Sequence, residues 1–404
     1  MNQINMNEKC HQWLKTLCLD IKERTTGSQG NRDATRFFRE QLGTLGWETE
    51  SQEFEAVDWI DGGATLNAGN KSFNVLVSPW SNGCSVKALM KSASSVSDLE
   101  EGGFRDKVIL LHGEIAGEQL MPKNFVFYNP DSHQKIISLL ENSGANALIC
   151  ATGRNAALTG GVYPFPLIED GDFNIPSVYM TEEEGKELSA FAGKEVILNS
   201  RSEKIPGKGY NVTGRKGQAE NDRVVITAHI DSKKGSPGAI DNATGVVVLL
   251  LLAGLMKDYS GEKQIEVVAL NGEDYYSVPG QMAWIMANQD KFENILFNVN
   301  IDGAGYKDGK SEFSYYNLPG QLHDIANLVV ERYPGISKGK PWPQGDHSIF
   351  LQYGRPAIAV TSGWFIENIN IQDITHTPKD DIGIVDCGRL TEIAVALSNL
   401  ITKI

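Results

Sequence analysis

The sequence predicts an α/β protein with a mixed, mostly parallel sheet that has helices on both faces, interrupted by an inserted, mainly β region. The stretch 224–256, VVITAHIDSKKGSPGAIDNATGVVVLLLLAGLM, carries much of this prediction. It starts with a short β-branched run typical of a buried parallel strand and ends in a long apolar segment typical of a helix packed on a sheet. From Tyr210 onward the same alternation of strand, loop and helix repeats, which favours a sheet covered on both faces.

The elements around this stretch follow from hydrophobic spacing. Residues 8–22 are amphipathic, residues 32–45 have apolar side chains at helical spacing, and residues 47–54 alternate as in a strand. Beyond Tyr210 the spacing predicts strands at 224–228, 265–270, 296–301 and 357–361, and helices at 245–256, 278–289, 318–333 and 388–403. The N-terminal helices are expected to complete the same layer. The first domain is therefore discontinuous, with residues 1–54 and 206–404.

The intervening residues 55–205 have a different character. Loops rich in Gly, Asn and Ser separate short apolar runs such as KVILLHG and ANALICA. This stretch contains no cluster of His, Asp and Glu that looks like a site. We expect it to form an inserted, mainly β domain that shapes or covers a cleft and binds no catalytic metal.

Composition limits the function classes. The chain has 404 residues, of which 41% are hydrophobic and 22% charged, as in a globular protein with room for two domains. Its net charge of -14 argues against a nucleic-acid partner, because phosphate binding needs a basic face. The five cysteines are scattered and odd in number, so a disulfide framework is not expected. No signal peptide or membrane span is recognisable, which predicts a cytoplasmic location and no membrane partner unless a signal segment was removed.

Acidic and histidine residues recur where the predicted strands end. They are His229, Asp231, Asp241, Glu273, Asp274, Asp302 and His376. In an open α/β sheet such ends meet at one edge, where ligands bind. Imidazole and carboxylate are the ligands that zinc accepts outside cysteine sites. Five such ligands, with one carboxylate shared, would hold two metal ions, and one of the neighbours Glu273 and Asp274 would remain to act as a base.

Taken singly, each of these residues has an ordinary explanation. An aspartate directly before a helix, such as Asp241, is commonly an N-cap. Asp302 before a glycine fits a turn, and His376 fits a surface histidine. The hypothesis of a metal site gains weight because all these residues are expected at the same edge of the sheet.

The order of the short motifs resembles that of the co-catalytic zinc aminopeptidases, the family that includes the glutamate carboxypeptidases and, more distantly, glutaminyl cyclase. The motifs are HIDS, PGAIDNATG, NGEDYY, NIDGAG, GDHSIF and THTPKD, preceded near the N-terminus by RTTGSQGN. The resemblance implies a fold of the zinc exopeptidase type from about Tyr210 to the C-terminus. Within the insert, KVILLHG, ANALICATG and IPSVYM look like a protease-associated domain.

The resemblance also implies which residues bind metal. His229 and Asp302 would bind one ion, His376 and Asp274 the other, and Asp241 would bridge them. The family more often has Glu at the position of Asp274. A side chain shorter by one methylene has to approach the metal more closely, so an altered metal affinity is expected.

Four further residues receive roles from the same resemblance. Glu273 matches the general base, and Asp231 matches a carboxylate that orients the ring of a metal-binding histidine. Asp346 and His347 fall in a motif that lines the site in relatives. His347 is expected to be a pocket residue, with a purely structural histidine as the alternative.

The function that follows is a zinc-dependent exopeptidase, foremost an aminopeptidase acting on peptides with two zinc ions or other divalent metals. A carboxypeptidase or dipeptidase of the same family is the alternative within the enzymes. A catalytically silent binding protein on the same fold is the alternative from another class, although it would not need the full ligand set together with Glu273. Glutaminyl cyclase is disfavoured, because a single-metal site would not require all five ligands. The sequence leaves the side-chain preference and the oligomeric state open.

Overall fold

The computed structural model describes residues 3–342 and 345–404. The chain divides into two compact units, of which the first combines Met1–Ala56 with Lys208–Ile404 and the second is Val57–Gly207. Each boundary lies two residues beyond the position expected from the sequence. Across the described ranges, no helix combines the length and the apolar character needed to cross a membrane.

The helices are numbered in chain order and most of them lie between strands. They are α1 (Gln3–Lys15), α2 (Gln29–Thr44), α3 (Val96–Glu101), α4 (Asp131–Glu141), α5 (Ala156–Thr159), α6 (Glu182–Ser189), α7 (Thr244–Leu255), α8 (Pro279–Asn288), α9 (Gly320–Arg332), α10 (His347–Gln352), α11 (Gly363–Glu367) and α12 (Cys387–Ile401).

The strands are numbered in the same way. They are β1 (Glu48–Ala68), β2 (Lys71–Phe73), β3 (Leu76–Val77), β4 (Cys84–Ala93), β5 (Val108–Leu111), β6 (Ala147–Thr152), β7 (Ser177–Thr181), β8 (Glu195–Lys216), β9 (Ala219–His229), β10 (Lys263–Leu270), β11 (Ile295–Ile301), β12 (Ser311–Tyr316), β13 (Ile336–Lys338) and β14 (Ala357–Ser362). The long strands β1 and β8 each run through a boundary between the two units.

The strands of the first unit lie in the order β13, β12, β14, β11, β9, β10 and β8. The four central strands, from β14 to β10, are parallel to one another. Outside them, β12 is antiparallel to β14 and β8 is antiparallel to β10, while β13 is parallel to β12. The predicted fold class, a mixed and mostly parallel α/β sheet, is confirmed.

Helix α7 lies at the centre of the core of the first unit. Its sequence TGVVVLLLLAGL has no charged residue, and the side chains from Thr244 to Gly254 are all buried. It packs against α1, α2 and α12 as well as against β9 and β10. Helix α8 contacts β10, and α10 contacts β11 and β14. Because losing one buried leucine side chain typically costs about 2–5 kcal/mol, this helix contributes much of the stability of the first unit.

A disulfide bond joins Cys10 in α1 to Cys387 at the start of α12. The sequence did not predict this bond, since the two cysteines are 377 residues apart and the total number of cysteines is odd. The pair forms because α1 and α12 pack against each other as well as on α7, which brings the two ends of the chain together.

In the second unit, β4, β5, β6 and β7 form a parallel sheet in that order. The part of β8 that belongs to this unit is antiparallel to β4, and β3 is antiparallel to β7. Helices α3 to α6 lie between or after these strands. The insert thus contains parallel strands connected through helices.

Candidate metal centre

The carboxyl ends of β9, β10 and β11 bring the first group of site residues to one edge of the sheet. His229 is the last residue of β9 and is in register with Leu270, the last residue of β10. Glu273 and Asp274 follow β10 after a short turn, and Asp302 follows β11 directly. Because these strands are parallel and adjacent, residues distant in sequence lie together at their ends.

The second group comes from two connecting segments. Asp241 lies shortly before the start of α7, and His376 lies in the loop between α11 and α12. The backbone φ of His376 is 63°, in the left-handed region that residues other than glycine rarely adopt. Such conformations persist where surrounding contacts fix them, and they cluster at functional sites.

The carboxylate of Asp241 lies between the two histidines. Its Oδ1 is 3.0 Å from His229 Nε2, and its Oδ2 is 3.0 Å from His376 Nε2. Asp302 Oδ1 lies 3.7 Å from His229 Nε2, and Asp274 Oδ1 lies 3.2 Å from His376 Nε2. The structure therefore brings the five sequence-predicted ligands together as two His/Asp pairs around a shared carboxylate.

The donor set fits a metal ion. His229 is 1% exposed, yet neither of its ring nitrogens forms a hydrogen bond of acceptable geometry, and Asp274 Oδ2 is likewise buried without one. Buried polar atoms in native proteins nearly always have partners, so such exceptions call for an explanation. One ligand atom each from His229, Asp241 and Asp274 lie within 4.8 Å of one another. A divalent cation at this point would satisfy them, since zinc binds imidazole nitrogen and carboxylate oxygen.

The electrostatics of the centre favour positive charge. Burial by itself lowers the pKa of His229, but the carboxylates of Asp231, Asp241 and Asp302 raise it well above its usual value. The pKa of Asp241 is lowered in spite of its burial, because the nearby rings of His229 and His376 stabilise its charged form. Carboxylates thus outnumber the imidazoles, and a bound divalent cation would balance the excess negative charge.

Asp231 connects the two loops of the centre. Its carboxylate accepts hydrogen bonds from the backbone amides of Gly272 at 2.8 Å, Glu273 at 3.3 Å and Asp274 at 3.0 Å. Its Oδ1 also lies 3.6 Å from His229 Nδ1. The residue therefore lies next to the Nδ1 side of the His229 ring and fixes the turn after β10.

The neighbours Glu273 and Asp274 have different surroundings. Asp274 is 8% exposed and faces His376, whereas Glu273 is partly exposed. Desolvation raises the pKa of Glu273 well above its usual value, and the negative charges of Asp274 and Asp302 raise it further. A carboxylate whose pKa is raised in this way accepts a proton more readily near neutral pH.

Asp346 and His347, at the start of α10, lie beside this cluster. Burial raises the pKa of Asp346 to about 7. The charge of His229 lowers this pKa, whereas the charge of Asp302 raises it. Its Oδ1 accepts a hydrogen bond of 3.2 Å from Gln281 Nε2. Burial lowers the pKa of His347, which favours the neutral ring.

One residue that contacts the centre received no role from the sequence. The carboxylate of Asp380 accepts hydrogen bonds from the backbone amides of Ile240 at 2.7 Å and Asp241 at 3.1 Å. It is fully buried and fixes the backbone that presents the shared carboxylate. Its position in THTPKD, four residues after His376, was the available signal, but an aspartate next to a lysine in a loop is ordinarily solvated.

The fold is that of known bacterial aminopeptidases. The aminopeptidase from Aneurinibacillus sp. strain AM-1 matches with a TM-score of 0.75 at 20% sequence identity, over 98% of this chain and 93% of that chain. BSAP, a zinc aminopeptidase from Bacillus subtilis, matches with a TM-score of 0.75 at 18% identity, over 98% of this chain and 94% of that chain. At these identities the likeness establishes the fold alone.

A family model matches the C-terminal part of the chain. Residues 211–401 match the model of Peptidase family M28, which confirms the resemblance seen in the motifs. Aminopeptidase YwaD of Bacillus subtilis (strain 168) is 26% identical over 266 residues, which cover 62% of this chain and 55% of that protein. The chain therefore spans about half the length of this curated relative.

Proposed function

We propose that the chain is a zinc-dependent aminopeptidase that removes N-terminal residues from peptides with the help of two metal ions. The observation that carries the proposal is the position of Asp241, which places one carboxylate oxygen 3.0 Å from His229 Nε2 and the other 3.0 Å from His376 Nε2. A carboxylate that lies between two imidazoles can serve as a ligand to each of two neighbouring metal ions. The match of residues 211–401 to a peptidase family and the names of the relatives support peptides as the substrates.

In this proposal His229 and Asp302 would hold one ion, His376 and Asp274 would hold the other, and Asp241 would be shared. When bound, the ions polarise the peptide carbonyl and make a water molecule more acidic. The shorter side chain of Asp274, in place of the more usual glutamate, still brings its Oδ1 to 3.2 Å from His376 Nε2, which supports its role as a ligand.

The protein groups around the ions then handle the proton. Glu273 is proposed to accept the proton of the attacking water and to pass it to the leaving amine, which its raised pKa favours. Asp231 holds Glu273 in place through the backbone amides of the turn and lies behind the ring of His229. One buried carboxylate is thus proposed to position both the base and a metal ligand.

Asp346 and His347 are proposed to line the substrate pocket. The ring of His347 is fixed between Tyr316 and Trp342, whose ring centroids lie 4.7 and 4.9 Å away, and its Nε2 is 3.2 Å from the Trp342 carbonyl oxygen. This leaves Nδ1 buried and without a hydrogen bond. A neutral ring in that state is suited to contact a polar group of the substrate.

The insert, residues 57–207, is proposed to be a domain of the protease-associated type, on the strength of its motifs alone. A carboxypeptidase or dipeptidase activity remains the alternative for the same metal centre, because the centre does not distinguish the two ends of a peptide. A silent binding protein is disfavoured, since binding alone requires neither the complete ligand set nor Glu273.

The test combines metal analysis with a substrate comparison. Protein purified without chelator and saturated with zinc should hold two ions per chain. It should hydrolyse aminoacyl amides with a free N-terminus and leave N-blocked peptides intact. A single tightly bound ion would contradict the shared role of Asp241, and cleavage of blocked peptides from their C-terminal end would favour the carboxypeptidase.

A further inference from the structure

A mostly buried segment before and at the start of α2 contacts the two loops that carry candidate ligands. Residues 24–31, RTTGSQGN, lie outside the part of the chain that matches the peptidase family, 211–401, and are here termed the N-terminal brace. Within the brace, Arg24 is 2% exposed, Thr26 1% and Asn31 0%. Their polar groups must therefore find partners inside the protein.

Arg24 holds the loop between β9 and α7. Its Nε donates to the carbonyl oxygen of Ile230 at 3.0 Å, and Nη1 and Nη2 donate to the carbonyl oxygens of Pro237 and Gly238, each at 2.8 Å. Nη1 also donates to the Leu17 carbonyl oxygen at 2.8 Å. Because a guanidinium presents its donors in a rigid fork, these bonds fix the path of the loop as well as its position.

Asn31 holds the neighbouring loop, which follows β10. Its Nδ2 donates to Asn271 Oδ1 at 2.9 Å, and Nδ2 of Asn271 donates back to Asn31 Oδ1 at 2.8 Å. Thr26 Oγ1 adds a third bond to Asn271 Oδ1 at 3.1 Å. Asn271 begins the turn that carries Glu273 and Asp274, so the brace fixes the point from which this turn starts.

We infer that Arg24 and Asn31 are positioning residues of the metal centre and that the brace sets the separation of the two loops that supply its ligands. The inference rests on the proposed function. Arg24 acts on the loop of His229 and Asp241, which would serve both ions, whereas Asn31 acts on the turn of Asp274, which would serve one. Functional groups have to be held within about 0.5 Å of their productive geometry, and a side chain that orients a ligand therefore affects metal affinity.

The alternative is that the brace only anchors α2. Three substitutions separate the two roles. Arg24→Lys keeps the charge but loses the fork, and Asn31→Asp keeps the shape but replaces the donating Nδ2 with an oxygen. Ser28→Ala is the matched control, because Ser28 Oγ accepts the Asn31 backbone amide at 3.1 Å as the N-cap of α2 and forms no described bond to either loop.

The experiment is zinc titration of the metal-free full chain against a competing chelator, with circular dichroism melting of the same samples. Arg24→Lys should weaken both zinc-binding steps by about 10–100-fold, and Asn31→Asp should weaken one step by a similar factor and leave the other. Ser28→Ala should lower the melting temperature and leave both zinc affinities unchanged.

Several outcomes would overturn the inference. If Arg24→Lys and Asn31→Asp lowered the melting temperature as Ser28→Ala does, with unchanged zinc affinities, the brace would be an anchor only. If either variant failed to fold, Thr26→Val would decide, because it removes a single bond to Asn271. A several-fold loss of affinity in the zinc-binding step that involves Asp274 would support the inference. An unchanged zinc affinity would overturn it. If the wild-type chain bound no zinc, the proposed function would fail first and the inference with it.

Discussion

Both units contain parallel strands whose buried apolar runs end at one edge of a sheet, yet a candidate metal centre lies at only one of these edges in the described parts of the chain. In the first unit, β9 ends in His229 and β11 is followed by Asp302. In the second unit, β5 is followed by His112 and β6 by Gly153. The two sheets thus have similar strand arrangements but different functional groups at the ends of their strands.

The difference shows what the sheet does and does not contribute. Parallel strands provide an edge at which several chain segments converge, but the chemistry depends on the side chains placed there. The proposed metal centre also includes Asp241 and His376, which come from connecting segments and complete the set supplied by the strand ends. A single histidine after a strand, such as His112, is not enough to form a metal-binding site.

The largest expected effect comes from the shared carboxylate. Asp241→Asn removes the charge between His229 and His376, so both of the proposed metal ions should be lost and hydrolysis should fall by more than the roughly 10²–10⁴-fold expected for loss of a base. Asp170→Asn is the matched control in the insert, because Asp170 is 2% exposed and accepts the Lys123 amide at 2.9 Å. Elemental analysis and rate measurements on both variants test whether only the first-unit variant loses metal. Metal loss from Asp170→Asn would contradict this prediction.

The next largest effect is expected from Glu273 and Asp274, which lie in one turn and are proposed to act as base and as metal ligand. Glu273→Gln keeps the shape but removes the proton acceptor, so metal content should persist while turnover falls by about 10²–10⁴-fold. Asp274→Ala should release metal instead. Bound metal and rate constants are measured for both variants at the same zinc concentration. The reverse pattern would mean that the two roles are exchanged, and unchanged hydrolysis in both would favour the binding protein.

A smaller effect is expected from the carboxylate that joins the loops. Asp231→Asn removes the charged acceptor for the amides of the turn at Glu273 and the partner of His229, so zinc affinity should fall by about 10–100-fold. Asp98 is its counterpart in the insert, since Asp98 Oδ2 accepts the backbone amides of Ser94 at 2.7 Å and Ser95 at 3.1 Å. Asp98→Asn should leave zinc affinity unchanged, as competition titration would show. Equal losses from both variants would contradict a special role for Asp231.

Much of the first unit could be predicted because its signals are local. The apolar run of α7 and the polar residues after β9, β10 and β11 are visible in the sequence, and parallel pairing accounts for their convergence. The short elements β12, β13, α10 and α11 were not predicted. They have no more than six residues each, too few to show a clear period.

The contacts behind the site could not be predicted, because they depend on tertiary structure. Arg24 bonds to Ile230, a residue 206 positions away, and nothing in the local pattern of either segment indicates the pair. The disulfide from Cys10 to Cys387 is a similar case. Asp380 looks like a solvated loop residue until the fold places it under the backbone of Asp241.

The smallest expected effect concerns pH, and it again contrasts two buried carboxylates. Burial and the negative charge of Asp241 raise the pKa of Asp380 to about 7, and burial raises the pKa of Asp170 in the insert. Each group therefore binds its proton more tightly in the folded than in the unfolded chain. The stability of the metal-free protein should fall as the pH rises from about 4, the ordinary carboxyl pKa, towards 7.

Zinc should change the pKa of Asp380 and leave the pKa of Asp170 unchanged. A cation beside Asp241 offsets its charge and thereby lowers the pKa of Asp380, whereas Asp170 lies in the insert, which supplies no proposed ligand. In the metal-free protein, Asp380→Asn should flatten the fall in stability between pH 5 and 7 by about 2 kcal/mol, the part of the effect of the pKa shift that falls between these two pH values. In saturating zinc, the difference in stability between Asp380→Asn and wild type should shrink. The difference between Asp170→Asn and wild type should stay the same. Urea unfolding midpoints at pH 5, 6 and 7, with and without zinc, measure both differences. If zinc changed the two variants equally, the raised pKa of Asp380 would have to be ascribed to burial alone, without a contribution from the metal centre.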